Sequence, residues 1–149
     1  MKLNLGCSTP PWPDGFVNVD ICEPCDVRWD LTKMWPWAKN EAEFIRANDI
    51  IEHLPDKIHT MNEAHRVLIP GGLFEIKVPT TDGPGAWQDP QHVSYWNRNS
   101  FLYFTRGIPE YERFHGAYGI NACFDVVISR LHTWPNGVVD LNITLRAVK

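Results

Sequence analysis

The residues with the clearest chemical meaning lie near the start of the chain, in the sequence LNLGCSTPPWPDGFVNVDI. A short apolar segment runs into Gly6-Cys7-Ser8, where small residues allow a sharp turn close to a ligand. A second apolar segment, residues 16–19, leads to Asp20. The N–H groups of such a turn suit an anionic or zwitterionic group, and a carboxylate ending the next strand can accept hydrogen bonds from both hydroxyls of a ribose. The pattern predicts a ligand that contains a nucleoside, with a turn cap as the alternative role of Asp20.

Neither the cysteines nor the histidines follow a known metal-binding pattern. Cys22 and Cys25 have the spacing of a redox pair or of half a zinc site, but no second such pair supplies the remaining ligands. No HExxH-type pairing occurs among the six histidines. His53 lies just before a helical segment, and we interpret it as a packed histidine rather than as a base. The sequence therefore predicts no bound metal.

Composition and charge limit the classes of protein to which the chain can belong. Its 149 residues suffice for one hydrophobic core, and 44% hydrophobic and 21% charged residues are ordinary for a globular domain. The net charge of −4, without any basic run, argues against a nucleic-acid partner, because phosphate contacts need clustered cations. Without an export leader or a long apolar stretch, we expect a cytoplasmic protein with reduced cysteines and no membrane association. No feature of the sequence indicates an oligomeric state.

Segments with strand character alternate with loops or helices in the first half of the chain. They cover residues 2–5, 16–19, 26–29, 43–47 and 73–78. A helix is predicted over residues 55–68, starting at Pro55 and ending before Pro70-Gly71-Gly72. Recurring strands with helical crossovers predict a mostly parallel sheet with helices on both faces. Only about ten residues join the first two strands, so at most one helical turn is expected there.

The second half of the chain divides into an irregular part and a hairpin. Residues 80–122 are rich in glycine, proline and aromatic residues, as is typical of a long functional loop. Residues 124–128 and 138–145 then alternate between apolar and polar side chains on either side of Pro135-Asn136-Gly137, a strong turn signal. We expect these two segments to form a β-hairpin that closes the sheet with an antiparallel edge.

Motifs distributed over residues 2–104 resemble those of class I S-adenosylmethionine-dependent methyltransferases. LNLGCS followed by VNVDI resembles the first cofactor motif in a small bacterial and phage branch of the family. Asp30-Leu31-Thr32 is similar to the acidic motif beside the adenine, and ANDIIEHLPD is similar to the segment after the fourth strand. AHRVLIPGGLFEIKVPT resembles the family's helix, turn and fifth strand, and DPQHVSYW resembles a loop found in these proteins.

The resemblance implies an α/β fold: a Rossmann-like, doubly wound, mostly parallel sheet with a C-terminal antiparallel hairpin, in three layers, α/β/α. Residues 1–149 would form a single methyltransferase-like domain. In it, residues 1–80 would bind the cofactor, 80–122 would cover the substrate and 123–149 would form the closing hairpin. The cofactor, S-adenosylmethionine, would lie across the carboxyl ends of the strands, where open α/β sheets bind their ligands.

Carried over onto this sequence, the family's motifs imply a cofactor site. Its residues would be Asn4, Leu5, Gly6, Cys7, Ser8, Asp20, Ile21, Asp30, Leu31, Asn48 and Asp49. Asp20 would bind the ribose hydroxyls, and Asp30 would accept from the adenine amine. The alternative for Asp30 is a cap on the turn over residues 32–35.

The family's segment after the fifth strand covers the substrate, and here its polar and aromatic groups are Asp89, His92, Tyr95 and Trp96. His92 is the candidate general base, because a histidine accepts protons readily near neutral pH, and Asp89 would orient it. Tyr95 and Trp96 would face the substrate. Alternatively, Asp89 and His92 only hydrogen-bond the loop to itself.

The sequence thus predicts an S-adenosylmethionine-dependent methyltransferase that acts on a small molecule or a sugar, with nucleic acid disfavoured by the acidic composition. A non-catalytic protein that binds S-adenosylmethionine or S-adenosylhomocysteine is the first alternative. The second is a nicotinamide-dependent oxidoreductase, which is disfavoured because the first turn lacks a complete G-x-G-x-x-G.

Overall fold

A seven-stranded sheet with the spatial order β3-β2-β1-β4-β5-β7-β6 organises the computed structural model, which describes residues 1–149. The strands are β1 (Lys2–Leu5), β2 (Val17–Asp20), β3 (Val27–Arg28), β4 (Ala42–Asn48), β5 (Leu68–Pro79), β6 (Phe124–Thr133) and β7 (Val139–Ala147). Strands β1 to β5 are parallel, whereas β7 runs antiparallel to both β5 and β6. The predicted Rossmann-like sheet with a C-terminal antiparallel hairpin is confirmed.

Helix α1 (Lys57–Val67) connects β4 to β5. It begins after Asp56, whose carboxylate caps it by accepting from the His59 N–H at 2.9 Å. The predicted Pro-Gly-Gly stop lies inside β5, because the strand starts directly after the helix at Leu68. Ala42 pairs with Leu68 and Phe44 with Leu73, so the residues between them form a bulge in β5.

One face of the sheet carries the hydrophobic core. Neighbouring strands contribute Leu3, Ile45 and Phe74, which are in register and fully buried. The helical residues in the same core are Met61, Ala64 and Val67 of α1 and Phe101 and Phe104 of a 3₁₀ helix, Arg98–Phe104.

A loop between β3 and β4 completes this layer. Its Trp35 and Trp37 are buried in the core. Glu63 of α1 accepts from the Trp35 N–H at 2.6 Å and forms an ion pair with Arg66 at 2.7 Å. Arg66 in turn donates to the carbonyl oxygens of Trp35 and Trp37, at 3.0 and 2.8 Å. These hydrogen bonds satisfy the loop backbone in place of a helical ladder.

The opposite face of the sheet is polar. Asn4 donates to Asn18 at 3.0 Å, and Arg46 forms an ion pair with Glu75 at 2.7 Å. Phe16 packs over this pair, with its ring centroid 5.0 Å from the Arg46 guanidinium. Because the side chains of this face bond to one another, it needs no apolar layer to cover it.

The first half of the sheet departs from the usual doubly wound arrangement in one respect. No helix follows β1, β2 or β3, so loops replace the helices that would otherwise follow those strands. The crossover between β1 and β2 contains no helical turn, within the expected limit of one. Three prolines (Pro10, Pro11 and Pro13) lie in that crossover, and each lacks the N–H that a helix would use.

Residues 80–122 are more regular than predicted. They contain α2 (Gly85–Gln88), the 3₁₀ helix and α3 (Pro109–Tyr118). Asn97 caps the 3₁₀ helix, Pro109 opens α3, and Gly119 ends it with a φ of 71°. The residues that suggested loops thus mark helix ends. No helix of the fold combines the length and the apolar character needed to cross a membrane.

Candidate functional site

The carboxyl ends of β1 and β2 border a cleft of about 160 Å³, called here the strand-end cleft. Its lining residues are Gly6, Asp20, Ile21, Trp29, Asp30, Leu31, Thr32, Ile50, His53 and Leu54. The predicted cofactor residues that the fold brings together here are Gly6, Asp20, Ile21, Asp30 and Leu31. The sequence analysis missed Trp29, Ile50 and His53, which carry no glycine or acidic signal.

Only glycine fits at position 6. Its φ is +64°, a conformation that L side chains rarely adopt. A Cβ atom at this position would lie 2.6 Å from the Ile50 Cβ, so the backbone turn and the Ile50 side chain are in direct contact. The turn thus presents bare backbone to whatever occupies the cleft.

Asp20 caps the turns beside it and keeps further acceptor positions. Its carboxylate accepts from the Ser8 N–H and from the Cys22 N–H, each at 3.0 Å, and so caps both adjoining turns. The two bonds use different oxygens, and each carboxylate oxygen has two acceptor positions. One position on each oxygen therefore stays free, which is what a pair of vicinal hydroxyls requires.

Asp30 also caps a turn, since one of its oxygens accepts from both the backbone N–H and the hydroxyl of Thr32, at 2.9 and 2.7 Å. These bonds lower the pKa of Asp30, so the carboxylate stays ionised. The indole N–H of Trp29 is buried without a hydrogen-bond partner at the same cleft. Ile21, with 58% exposure, and Leu31 provide apolar surface for a flat ring.

Other predicted cofactor residues lie away from this cleft. Asn4 belongs to the polar face of the sheet, and Leu5 is buried in the core. Cys7 is also buried; burial is the main cause that raises its thiol pKa to about 11, followed by the charge of Asp20. Ser8 contributes only its backbone N–H, which donates to the Asp20 carboxylate. Asn48 is exposed at the end of β4.

A second, larger cleft of about 390 Å³ adjoins the first at His53, which lines both. We call it the polar cleft. Its lining residues are Asp49, Glu52, His53, Lys77, Pro79, Gly85, Gln88, Asp89, His92, Trp134, Asn136, Val138 and Asp140. Asp49, predicted beside the cofactor, lines this cleft and not the strand-end cleft. The volume falls in the range of sites that hold small molecules.

A charged network forms one wall of the polar cleft. Lys77 donates to Asp49 at 2.7 Å and lies 3.8 Å from Asp140, which accepts from the Trp134 indole at 2.7 Å. Burial lowers the pKa of Lys77, but the hydrogen bond and charge of Asp49 outweigh it, and the net effect raises the pKa. The ammonium is therefore held in its charged form.

Glu52, His53 and His92 meet deeper in the polar cleft. The rings of the two histidines are in edge-to-face contact with centroids 4.9 Å apart, and Glu52 Oε1 lies 3.9 Å from His92 Nε2. Burial is the main cause that raises the pKa of Glu52 to about 7. His53 was expected to be a packed histidine, whereas the structure places it at the junction of the clefts. Glu52 and His92 are far apart in the sequence, so no spacing rule could join them.

The segment after β5 supplies one wall of the polar cleft through Asp89 and His92, whose Oδ2 and Nε2 atoms lie 3.7 Å apart. Tyr95 stacks on Trp87 with centroids 4.5 Å apart and does not line the cleft. Trp96 is fully buried, donates to Ser94 and stacks on Phe101. Trp96 is therefore a core residue, whereas Tyr95 is 40% exposed and lies outside the lining of the polar cleft.

A Rossmann-like sheet with a cleft at the carboxyl ends of its first strands is typical of proteins that bind nucleotide-type cofactors. A family model described as a methyltransferase domain matches residues 10–113, most of the chain. The chain belongs to this methyltransferase family, and its cofactor is S-adenosylmethionine. The strand-end cleft fits that cofactor, since it offers bare backbone at Gly6, free acceptor positions on Asp20 and an unpaired indole N–H.

Solved structures of low sequence identity share the fold. The 1,6-didemethyltoxoflavin-N1-methyltransferase of Burkholderia thailandensis, solved with 1,6-didemethyltoxoflavin and S-adenosylhomocysteine, has a TM-score of 0.66 at 17% identity over 99% of this chain and 71% of that chain. A putative methyltransferase from Bacillus halodurans C-125 has a TM-score of 0.68 at 11% identity, over 99% of this chain and 92% of that chain. The N-methyltransferase NodS of Bradyrhizobium japonicum WM9, solved with S-adenosylhomocysteine, has a TM-score of 0.64 at 11% identity, over 99% of this chain and 78% of that chain. No curated protein matches the sequence.

Proposed function

We propose that this methyltransferase methylates a hydroxyl group of an uncharged or cationic polyhydroxylated small molecule, such as a sugar, held in the polar cleft. The observation that carries the proposal is the junction of the two clefts at His53. An acceptor in the polar cleft would lie next to a cofactor in the strand-end cleft, as direct transfer between two bound molecules requires.

The lining of the polar cleft supports an acceptor with many hydroxyl groups. Carboxylates, imidazoles and amides predominate over apolar side chains, and they both donate and accept hydrogen bonds. The carboxylates are Asp49, Glu52, Asp89 and Asp140, against the single ammonium of Lys77. This surplus of negative charge would repel a phosphodiester backbone. The small size of the cleft agrees with the bound 1,6-didemethyltoxoflavin of the Burkholderia enzyme.

Each part of the site has a role in this proposal. When bound, S-adenosylmethionine supplies a methyl group on a positively charged sulfur. Asp20 holds the ribose hydroxyls, and Asp30 with Leu31 holds the adenine. His53 separates the two ligands and fixes the distance between them. The acceptor hydroxyl would lose its proton to Nε2 of His92, whose imidazolium Asp89 would stabilise from 3.7 Å. The oxygen would bond to the methyl carbon as the carbon–sulfur bond breaks, and S-adenosylhomocysteine would leave with the electron pair of that bond on its sulfur.

A panel of acceptors tests the proposal. The protein is incubated with S-adenosylmethionine carrying a radiolabelled methyl group and with sugars, cyclitols, amines, short RNA and protein, and labelled product is counted. We expect label on hydroxylated small molecules, and a His92→Asn variant with turnover lowered roughly 100-fold and unchanged S-adenosylhomocysteine affinity. Label confined to RNA or protein, or full turnover by the variant, would contradict the assignment.

A further inference from the structure

Two imidazoles and a carboxylate converge in the polar cleft in a way that proton transfer alone does not explain. One potential ligand atom from each of Glu52, His53 and His92 lies within 4.8 Å of the other two. The three come from a 3₁₀ turn, Ile51–His53, and from the segment that follows α2. The fold therefore assembles the cluster from two separate parts of the chain.

The hydrogen bonds of both histidines leave the same ring nitrogen free. His53 Nδ1 lies 3.2 Å from the Gln91 carbonyl oxygen, and His92 Nδ1 lies 3.1 Å from that of Ala86. A carbonyl oxygen only accepts, so Nδ1 is the protonated nitrogen and Nε2 carries the lone pair. Backbone carbonyls orient metal-binding histidines in this way.

Glu52 is a buried carboxyl group with one oxygen that lacks a hydrogen-bond partner. Its side chain is 3% exposed, and Oε2 is buried without any hydrogen-bond partner. Its near neighbour is His92 Nε2, 3.9 Å from Oε1, and no lysine or arginine forms an ion pair with it. A buried carboxylate is costly unless a cation or a donor compensates it, and the unpaired oxygen marks the place where that partner is missing from the protein itself.

We propose that Glu52, His53 and His92 bind one divalent transition-metal cation such as Mn²⁺, through Glu52 and the Nε2 atoms of both histidines. Imidazole and carboxylate ligands together suit Mn²⁺, Fe²⁺, Co²⁺ or Zn²⁺ better than Mg²⁺ or Ca²⁺. Two ligands on one ion lie roughly 3–3.5 Å apart at bond lengths of about 2.1 Å, so Oε1 and His92 Nε2 need to approach by less than about 1 Å. Three protein ligands leave positions open for a further molecule.

The role of the cation rests on the proposed function. An acceptor hydroxyl in the open position would lose its proton more readily, because the cation stabilises the resulting alkoxide. The O–H bond would break and the proton would pass to the Asp89 carboxylate. The oxygen would use the remaining electron pair to bond the methyl carbon as the carbon–sulfur bond breaks, which would leave S-adenosylhomocysteine. With the cation bound, His92 would be a ligand, and Asp89, whose side chain is 44% exposed, would replace it as the proton acceptor.

Manganese binding to the full chain, after treatment with EDTA and its removal, tests the site directly. Free Mn²⁺ is measured by electron paramagnetic resonance for the unmodified chain and for Glu52→Gln and His92→Asn. His115→Asn is the matched control, because His115 lies on α3 outside the cluster and also directs Nδ1 to a carbonyl oxygen. We expect one ion per chain, a loss of affinity of 10–100-fold or more in both cluster variants, and none in the control.

Two results would overturn the site: no binding by the unmodified chain up to millimolar Mn²⁺, or affinities of the cluster variants equal to that of the control. S-adenosylhomocysteine affinity, measured calorimetrically in EDTA, verifies that each variant is folded. It also separates the two proposals. Mn²⁺ binding lost in the variants would support the site even if no hydroxylated acceptor were methylated, and acceptor methylation without Mn²⁺ binding would support the proposed function alone.

Discussion

Replacing Glu52 with glutamine should stabilise the metal-free protein at pH 8 and change its stability little at pH 4.5. Burial, together with the charges of Asp49 and Asp140, raises the pKa of Glu52 from an ordinary 4.5 to about 7. A carboxyl whose pKa is raised by folding favours the folded state while it is protonated. Stability is therefore fully present below pH 4.5 and is lost as the pH rises through 7. Glutamine has the shape of the protonated acid and does not ionise, so the variant should keep this stability as the pH rises.

The size of the effect follows from the two pKa values. Their difference of about 2.5 corresponds to about 3 kcal/mol at about 1.36 kcal/mol for each pKa unit. Because Glu52 is almost fully buried, solvent screens little of this energy. We expect the variant to exceed the parent in free energy of unfolding by about 3 kcal/mol more at pH 8 than at pH 4.5.

Urea titrations followed by tryptophan fluorescence, in EDTA and at several pH values, measure the difference. Glu43→Gln is the matched control, because Glu43 is exposed on β4, and its effect should stay constant with pH. If the difference between Glu52→Gln and the parent were equally flat, the carboxylate would be well solvated or paired. The account of an uncompensated buried charge would then be wrong.

Asp20→Ala should weaken S-adenosylhomocysteine binding by about 1.5–3 kcal/mol, because two charge-assisted acceptor positions are lost. Calorimetry measures the affinity, with Asp14→Ala as the control variant, and equal affinities of the two variants would leave Asp20 with turn capping alone. Amide exchange should be faster for residues 89–92 than for residues 73–78, because the latter lie in a central strand; equal protection would argue against a cover that opens. Glu63→Gln should lower the free energy of unfolding by about 2–3 kcal/mol, because Arg66 then keeps a partly buried charge without its partner; an unchanged urea midpoint would refute this.

Much of the cofactor half could be predicted, because local residue types decide it. The strand at residues 2–5 has the predicted bounds, and Gly6 and Asp20 lie at the ends of adjacent strands as the pattern indicated. Helix α1 has a regular apolar period and a capping aspartate. Each of these features depends on neighbours in the sequence, which is why reading the sequence succeeds there.

The absence of helices after β1, β2 and β3 could not be predicted, because it depends on the opposite face of the sheet. Residues such as Arg46 and Glu75 satisfy one another across strands, and that pairing is invisible in a single strand. Only part of the polar cleft could be predicted, for a similar reason. Glu52 and His53 looked like the approach to a helix, and only the fold places His92 beside them.

The position of His53 would couple ligands bound in the two clefts. Its ring lines both clefts, and its Nδ1 is hydrogen-bonded to the carbonyl of Gln91, the residue before His92 in the wall of the polar cleft. By linkage, the factor by which an acceptor tightens cofactor binding equals the factor by which the cofactor tightens acceptor binding. Discrimination between acceptors would then begin before any bond is made. A molecule that does not contact His53 would bind no more tightly when the cofactor is present, and would dissociate before methyl transfer.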